Sequence, residues 1–307
     1  MTMRAVSKED PGQPDQDRSL QVFAAERERL FAIAYRMLGS VQDAEDILQE
    51  AFLRWHATPI STIATPAAWL TTVVTRLALK QLQSARVTRE SYVGPWLPEP
   101  LLENAQATSD PAELSDSLSI AFLTVLERLS PPERAVFLLR EVFEYDYVEI
   151  ADIVELTETN CRQVFHRARQ RLADHKQRYA ADGRTHRALI EGFAKAIADG
   201  DVEGVVRMLA RDAVLWADGG GRVRAAATRP VRGAESVARF LVGVRQKFGV
   251  RDVVVQVVNG RAALIAMVDG SPIRVVSIDV VGDEIAGIYV IANPEKLRPL
   301  ARSLSVS

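Results

Sequence analysis

Six side chains between positions 162 and 171 are of the types that bind nucleic acid and share one face of a helix-patterned stretch: Arg162, Gln163, His166, Arg167, Arg169 and Arg171. Guanidinium forks suit guanine edges and phosphates, and glutamine pairs with adenine. Groove-reading helices use their N-terminal half for bases, which assigns Arg162, Gln163, His166 and Arg167 to base edges and Arg169, Arg171 and Lys176 to phosphates. The plainer alternative is a solvated charged face. A second constellation is acidic: Asp43, Asp46 and Glu50, with Gln49 beside them, fall on the outer side of another helical stretch, where acids near a helix start also favour its dipole. A third is basic: Arg76, Lys80 and Gln83 follow Trp69 and the 58–65 loop, a set able to hold an unstacked base against an aromatic wall, or equally a solvated strip that Arg86 and Arg89 extend. In the last third of the chain, Asp218 is the nearest acidic candidate for a general base. It stands directly before Gly219, Gly220 and Gly221, so a turn or contact role is preferred over a perturbed catalytic carboxylate.

The elements that must position these groups can be read from periodicity and capping. Ser130, Pro131 and Glu133 form a helix start with a capping box; Asp146 caps a short helix burying Ile150, Ala151 and Val154. Thr157 caps a third helix with Cys161, Val164, Phe165, Ala168 and Leu172 inside, completing a helix-turn-helix. Upstream, Leu30, Ile33, Ala34, Met37 and Leu38 end at Gly39, then Ile47, Leu48, Ala51, Phe52 and Trp55 line the acidic helix. Thr65 and Pro66 start a helix burying Leu70, Val73, Val74 and Leu77. The stretch GPWLPEPLLENAQATSD between the two helical units reads as an extended connector. Its Trp96 and Leu97 are costly in water, which predicts that something covers them. Asp110, Pro111 and Glu113 cap a helix that opens the second unit. Beyond Arg184 helices precede four alternating segments with Gly and Asp at the turns, predicting an α+β domain with a curled antiparallel sheet.

The 307 residues suffice for two or three domains, and 48% hydrophobic with 25% charged residues is ordinary for a globular protein. With 38 basic against 40 acidic side chains the net charge is −2, which excludes indiscriminate coating of nucleic acid and confines DNA contact to local basic faces. Cys161 is the only cysteine, so no disulfide framework or cysteine zinc site exists, and a cytoplasmic setting is expected. His56, His166, His175 and His186 have no ligand spacing, so no metal and no cofactor are expected. No apolar run spans a bilayer, and the polar start lacks a signal-peptide core.

AYRMLGSVQDAEDILQEAFLRW followed by AAWLTTVVTRLALKQLQ resembles region 2 of extracytoplasmic-function (ECF) sigma factors, and LSPPERAVFLLREVFEYDYVEIADIV with QVFHRARQRL resembles their region 4. The resemblance implies that the acidic helix (Asp43, Asp46, Gln49, Glu50) docks on RNA polymerase core. It implies that Trp69, Arg76, Lys80 and Gln83 meet the −10 promoter element and that the Arg162–Arg171 face reads the −35 element. The chain departs from the family's Asn and Asp at Thr75 and Leu79. AKAIADGDVEGVVRMLARDAVLWADGG is similar to the SnoaL-like branch of the NTF2-like fold, and WLPEP, DGGGR and NPEKL match the ECF subgroup that carries such a domain. There the resemblance implies an interdomain regulatory contact through Trp96, Leu97, Pro98, Asp218, Gly219, Gly220, Gly221, Arg222, Asn293, Pro294, Lys296 and Leu297. The expected architecture is multidomain. It has a disordered start (1–18), an all-α region 2 bundle (19–93), a linker (94–109), an all-α region 4 (110–183), an α+β NTF2-like/SnoaL-like cone (184–300) and a tail (301–307). The expected partners are polymerase core and promoter DNA, with no membrane, and with an unknown small molecule in the C-terminal pocket left open. The chain as a whole is expected not to be an enzyme; a cyclase, isomerase or ligand-sensing C-terminal domain is the alternative, and a repressor or activator working without polymerase is the third reading.

Overall fold

The computed structural model describes residues 13–102, 117–176, 183–249 and 252–306. The expected helix start at Asp110–Glu113, most of the N-terminal 1–18 segment, and the side chains of Arg86, Arg89 and Lys176 lie outside what is described. The first helical unit is α1 (Gln13–Leu38), α2 (Val41–Ala57) and α3 (Pro66–Glu90), with a 3-10 turn at Ile60–Thr62 in the expected loop. α1 stops because Gly39 turns left-handed at φ 66° and its amide returns to the Tyr35 carbonyl. α2 starts on Ser40, whose hydroxyl accepts the Asp43 amide.

The second unit holds α4 (Ile120–Leu126), α5 (Pro131–Glu141), α6 (Tyr147–Val154) and α7 (Glu158–Lys176). The Ser130 amide donates to Glu133, a reciprocal capping box joins Asp146 and Glu149, and the Asn160 amide donates to the Thr157 hydroxyl. The turn from α6 to α7 runs through Glu155 at φ 58°, a left-handed cap taken here by a non-glycine residue. Leu30, Met37, Leu70 and Val74 of the first unit share one buried cluster with Leu126, Phe137, Leu138 and Leu172 of the second, so the two units pack on a continuous core.

The third domain begins with α8 (Gly183–Asp199) and α9 (Val202–Met208), followed by β1 (Leu209–Asp218), β2 (Val231–Arg232) and α10 (Ala234–Phe248). β3 (Asp252–Val258), β4 (Arg261–Val268), β5 (Ser271–Val281) and β6 (Glu284–Ile291) form a meander, and α11 (Pro294–Val306) closes the domain. The sheet order is β2-β1-β6-β5-β4-β3. This corrects the expectation of a purely antiparallel sheet: β1 pairs parallel with β6, Leu215 against Ile288 and Ala217 against Val290. The long excursion through α10 and four strands supplies the crossover that a parallel pair requires, a feature of connectivity that strand patterning cannot display.

One sheet face packs Leu215, Leu264, Ile278 and Ile288 against α8, α9 and α10. The other packs Ile265, Val275, Tyr289 and Ile291 against α11, against Leu97 of the extended segment after α3 and against Ile120 of α4. The central strands are therefore covered on both faces, while the edge strand β3 leaves Val253 and Val254 exposed. This α+β domain joined to two all-α units is the multidomain architecture expected.

Candidate nucleic-acid interface and interdomain contact

α7 presents Arg162, Gln163, His166, Arg167, Arg169 and Arg171 to solvent, while Cys161, Val164, Ala168 and Leu172 are buried beneath them. Three of the cations are held in position. Arg162 pairs with Glu158 and lies 4.4 Å from the Tyr147 ring centroid, and Arg169 lies 5.7 Å from that of Phe165. Arg171 reaches Glu133 at 2.6 Å. His166 bonds Gln170 at 3.0 Å. No hydrogen bond or ion pair engages the Arg167 side chain among the described residues, which leaves its guanidinium available to a phosphate or base edge. Burial, with Glu158 nearby, pushes the Cys161 thiol above its ordinary pKa, as suits a packing cysteine.

On α2, Asp46, Gln49 and Glu50 are exposed and Asp43 is half-buried. Glu50 pairs with Arg54 at 2.9 Å, and Asp43 accepts a long 3.4 Å bond from Gln81 of α3. These four remain on one accessible acidic face.

α3 behaves differently from the expected open basic strip. Arg76 donates from Nε to the Ile153 carbonyl at 3.0 Å and from Nη2 to the Asp152 carbonyl at 2.8 Å, and pairs with Glu155 at 3.0 Å. It caps the C-terminal end of α6, where carbonyls and the helix dipole favour a cation. Lys80 and Gln83 are exposed and line a depression with Pro132 and Leu156 between the two units. Trp69 is half-buried, 5.6 Å from the Trp55 ring centroid. Thr75 is buried, and Leu79 lines the same depression as Lys80. Further contacts fasten the units together. Tyr145 of the α5–α6 turn bonds Arg29 and Thr71, buried Arg134 donates to the Met37 carbonyl at 2.7 Å, and buried Arg36 donates to Ser117 at 2.9 Å. Arg36 and Arg134 are buried, and Arg29 and Tyr145 half-buried.

The third constellation centres on Asp218, which is fully buried at the end of β1. Its carboxylate accepts the Leu97 amide at 2.9 Å, the Tyr92 hydroxyl at 2.5 Å, the Gly220 amide at 3.1 Å and the Lys296 ammonium at 2.7 Å. Lys296 also donates to the Leu97 carbonyl and lies 3.9 Å from the Trp96 ring centroid. Asn293 donates to the Tyr92 hydroxyl at 2.9 Å, and Arg222 pairs with Glu295 at 2.9 Å on the exposed rim. Burial and the adjacent Asp218 carboxylate raise the Tyr92 phenol well above its ordinary value. Glycine is required at the turn: Gly220 and Gly221 take φ 60° and 70°, and a Cβ on Gly220 would stand 2.6 Å from the Asn293 amide. Leu97 is fully buried and Pro98 buried, while on α11 Pro294 is exposed and Leu297 buried against the sheet. Trp96 sits over Gly39, where a Cβ would stand 2.8 Å from its ring. The structure thus brings together all three segments WLPEP, DGGGR and NPEKL.

Three further participants stand outside the expected contact residues, although Glu99 and Tyr35 lie within the WLPEP and AYRMLG stretches. Glu99 accepts the Val41 amide at 2.6 Å and the Ser40 hydroxyl at 3.1 Å, placing a carboxylate on the N-terminus of α2. Burial raises its pKa above the usual carboxylate value, and the Val41, Gln42 and Ser40 donors oppose that rise. Tyr35 donates to the Glu99 carbonyl at 2.6 Å and receives the Asn259 amide at 2.6 Å, and Asn259 also pairs with Leu101. Glutamate in a proline-rich segment and asparagine in a hairpin turn carry ordinary local readings; their partners lie 57 to 224 residues away.

Known proteins match in the same order. Sigma-70 region 2 matches residues 22–88 and Sigma-70, region 4 matches residues 119–172. The ECF RNA polymerase sigma factor SigJ of Mycobacterium tuberculosis (strain ATCC 25618 / H37Rv) is 37% identical over 290 residues, covering 89% of this chain and 91% of the relative. The probable ECF RNA polymerase sigma factor SigI of Mycobacterium tuberculosis (strain CDC 1551 / Oshkosh) is 30% identical over 282 residues, covering 91% and 95%. The crystal structure of the Mycobacterium tuberculosis extracytoplasmic function sigma factor SigJ superposes with a TM-score of 0.73 at 36% identity, over 90% of this chain and 97% of that one.

Proposed function

The chain belongs to the extracytoplasmic-function family of RNA polymerase sigma factors, and on that premise we propose how its residues divide the work. α2 offers Asp43, Asp46, Gln49 and Glu50 to the polymerase core. α7 enters the major groove of the −35 element, with Arg162, Gln163, His166 and Arg167 toward base edges and Arg169 and Arg171 toward phosphates. Trp69, Arg76, Lys80 and Gln83 meet the −10 element once the two helical units part, because Arg76 otherwise holds the end of α6. The protein acts in the cytoplasm, where polymerase and chromosomal DNA are.

The C-terminal domain restrains the two units through the contact of Trp96, Leu97 and Pro98 with Asp218, Gly219, Gly220, Gly221, Arg222, Asn293, Pro294, Lys296 and Leu297. The observation that carries this reading is the buried Lys296–Asp218 pair, both of whose partners also hold the Leu97 backbone. A buried pair that also grips the linker backbone couples linker position to domain docking. The same occupancy favours a contact role for Asp218 over that of a cyclase or isomerase base, since its carboxylate is committed to four donors. Deleting residues from Asn293 onward should change promoter-dependent transcription by reconstituted polymerase; equal output from full-length and shortened chains would remove the regulatory reading.

A further inference from the structure

A cavity of about 480 Å³ opens between the turn at 223–225, the start of β5, the end of β6 and α11. It is not the space between α8–α10 and the sheet, which Leu215, Val237 and Ile288 fill. Its walls are apolar at Val223, Phe248, Ile273 and Leu297, and the charged residues lining it are Arg224, Arg274 and Arg298, with no acidic residue among them. Arg224 and Arg298 are exposed, and Arg274 is set deeper. The Arg274 Nε is buried without a hydrogen-bond partner, and burial pulls its pKa below the ordinary arginine value. Among the described residues its guanidinium makes no ion pair.

Nothing in the packing of β5 asks for a cation there. Arg274 stands opposite Ala266 of β4, and the segment around it is Pro-Ile-Arg-Val-Val. A guanidinium has only donors, and desolvating it without an acceptor opposes folding. Such a group is retained in a concave apolar site when a ligand supplies the missing acceptor. One deep arginine balances one negative charge, and its planar fork matches a carboxylate.

We propose that this cavity binds an amphiphilic monoanion, a carboxylate with an aliphatic or aromatic body, whose head pairs with Arg274 and whose body lies along Phe248, Ile273 and Leu297. Arg224 and Arg298 at the rim raise the local concentration of anions. The site stands whether or not the C-terminal domain restrains the sigma units.

The test uses the full chain with decanoate as probe, below its micellar range, followed by calorimetric titration and thermal unfolding. Decanoate should bind one to one and raise the melting temperature, and decanol should bind at least about tenfold more weakly. Arg274→Met should weaken decanoate on the order of 10- to 100-fold. The unliganded variant should melt no lower than the natural chain, because a half-buried guanidinium whose Nε has no acceptor has been removed. Ala301→Trp, which fills the cavity from a half-buried position on α11 and leaves Arg274 in place, should also block binding and gives a second reading should the methionine variant fail to fold. No one-to-one binding up to millimolar decanoate, equal affinity for decanol, or undiminished binding by a folded Arg274→Met chain would each overturn the proposal.

Discussion

Replacing Asp218 by Ala removes one partner of a pair whose side chains are 0% and 7% exposed, leaving the Lys296 ammonium buried. It also strips acceptors from the Leu97 and Gly220 amides and the Tyr92 hydroxyl. Breaking a buried pair from one side costs about 3–5 kcal/mol, so opening of the 96–101 segment should become roughly two to four powers of ten more frequent. Lys296→Met alone costs less, because Asp218 keeps three neutral donors. Adding Lys296→Met to Asp218→Ala should restore about 1–3 kcal/mol, because the stranded charge is gone and only unpaired neutral donors remain. Hydrogen exchange of the Glu99 and Leu101 amides reports this opening directly, since they donate to the Gly39 carbonyl and the Asn259 side chain rather than to Asp218. If Asp218→Ala shifts their protection by less than about tenfold, or the two substitutions simply add, the pair does not hold the linker.

Other consequences follow from neighbouring contacts. Glu99 has its pKa raised by burial in the folded chain, so the folded state holds its proton more tightly. Its contribution is fully present below the ordinary value of 4.5 and is lost as pH rises through the raised one. Glu99→Gln should abolish that part of the pH slope of stability, and an unchanged slope would contradict the burial argument. Arg76→Ala removes two charge-assisted bonds to α6 carbonyls and a half-exposed pair worth under about 1 kcal/mol. Amide exchange in α6 should quicken severalfold or more, and unchanged exchange would mean that the contact contributes nothing. Arg167→Ala should lower transcription from −35-dependent promoters while leaving core-polymerase affinity within about twofold, because its side chain lies on the exposed face of α7, away from the acidic face of α2.

What could be read from the sequence was local. Caps at Ser130, Asp146 and Thr157, the left-handed stop at Gly39 and the apolar stripe under Arg162–Arg171 depend on residues three or four apart, and the structure has each of them. The exposure cost of Trp96 and Leu97 likewise predicted a cover. Which surface provides it depended on pairings such as Leu97 with Asp218, 121 residues apart, which no periodicity encodes. The parallel β1–β6 pair escaped for the same reason, since an alternating strand looks alike whichever way its neighbour runs. Arg76 reads as a free basic residue until α6 is brought over it, so its engagement belongs to the packing of the two helical units rather than to α3 alone.

Promoter-specific transcription by purified core polymerase supplied with this chain tests the account most directly. The account predicts transcripts from a defined start that need the chain and both promoter elements, and that fall sharply when Arg162 and Arg167 are replaced together. Failure of the chain to bind core polymerase, or transcripts indifferent to the α7 substitutions and to the −35 element, would contradict it.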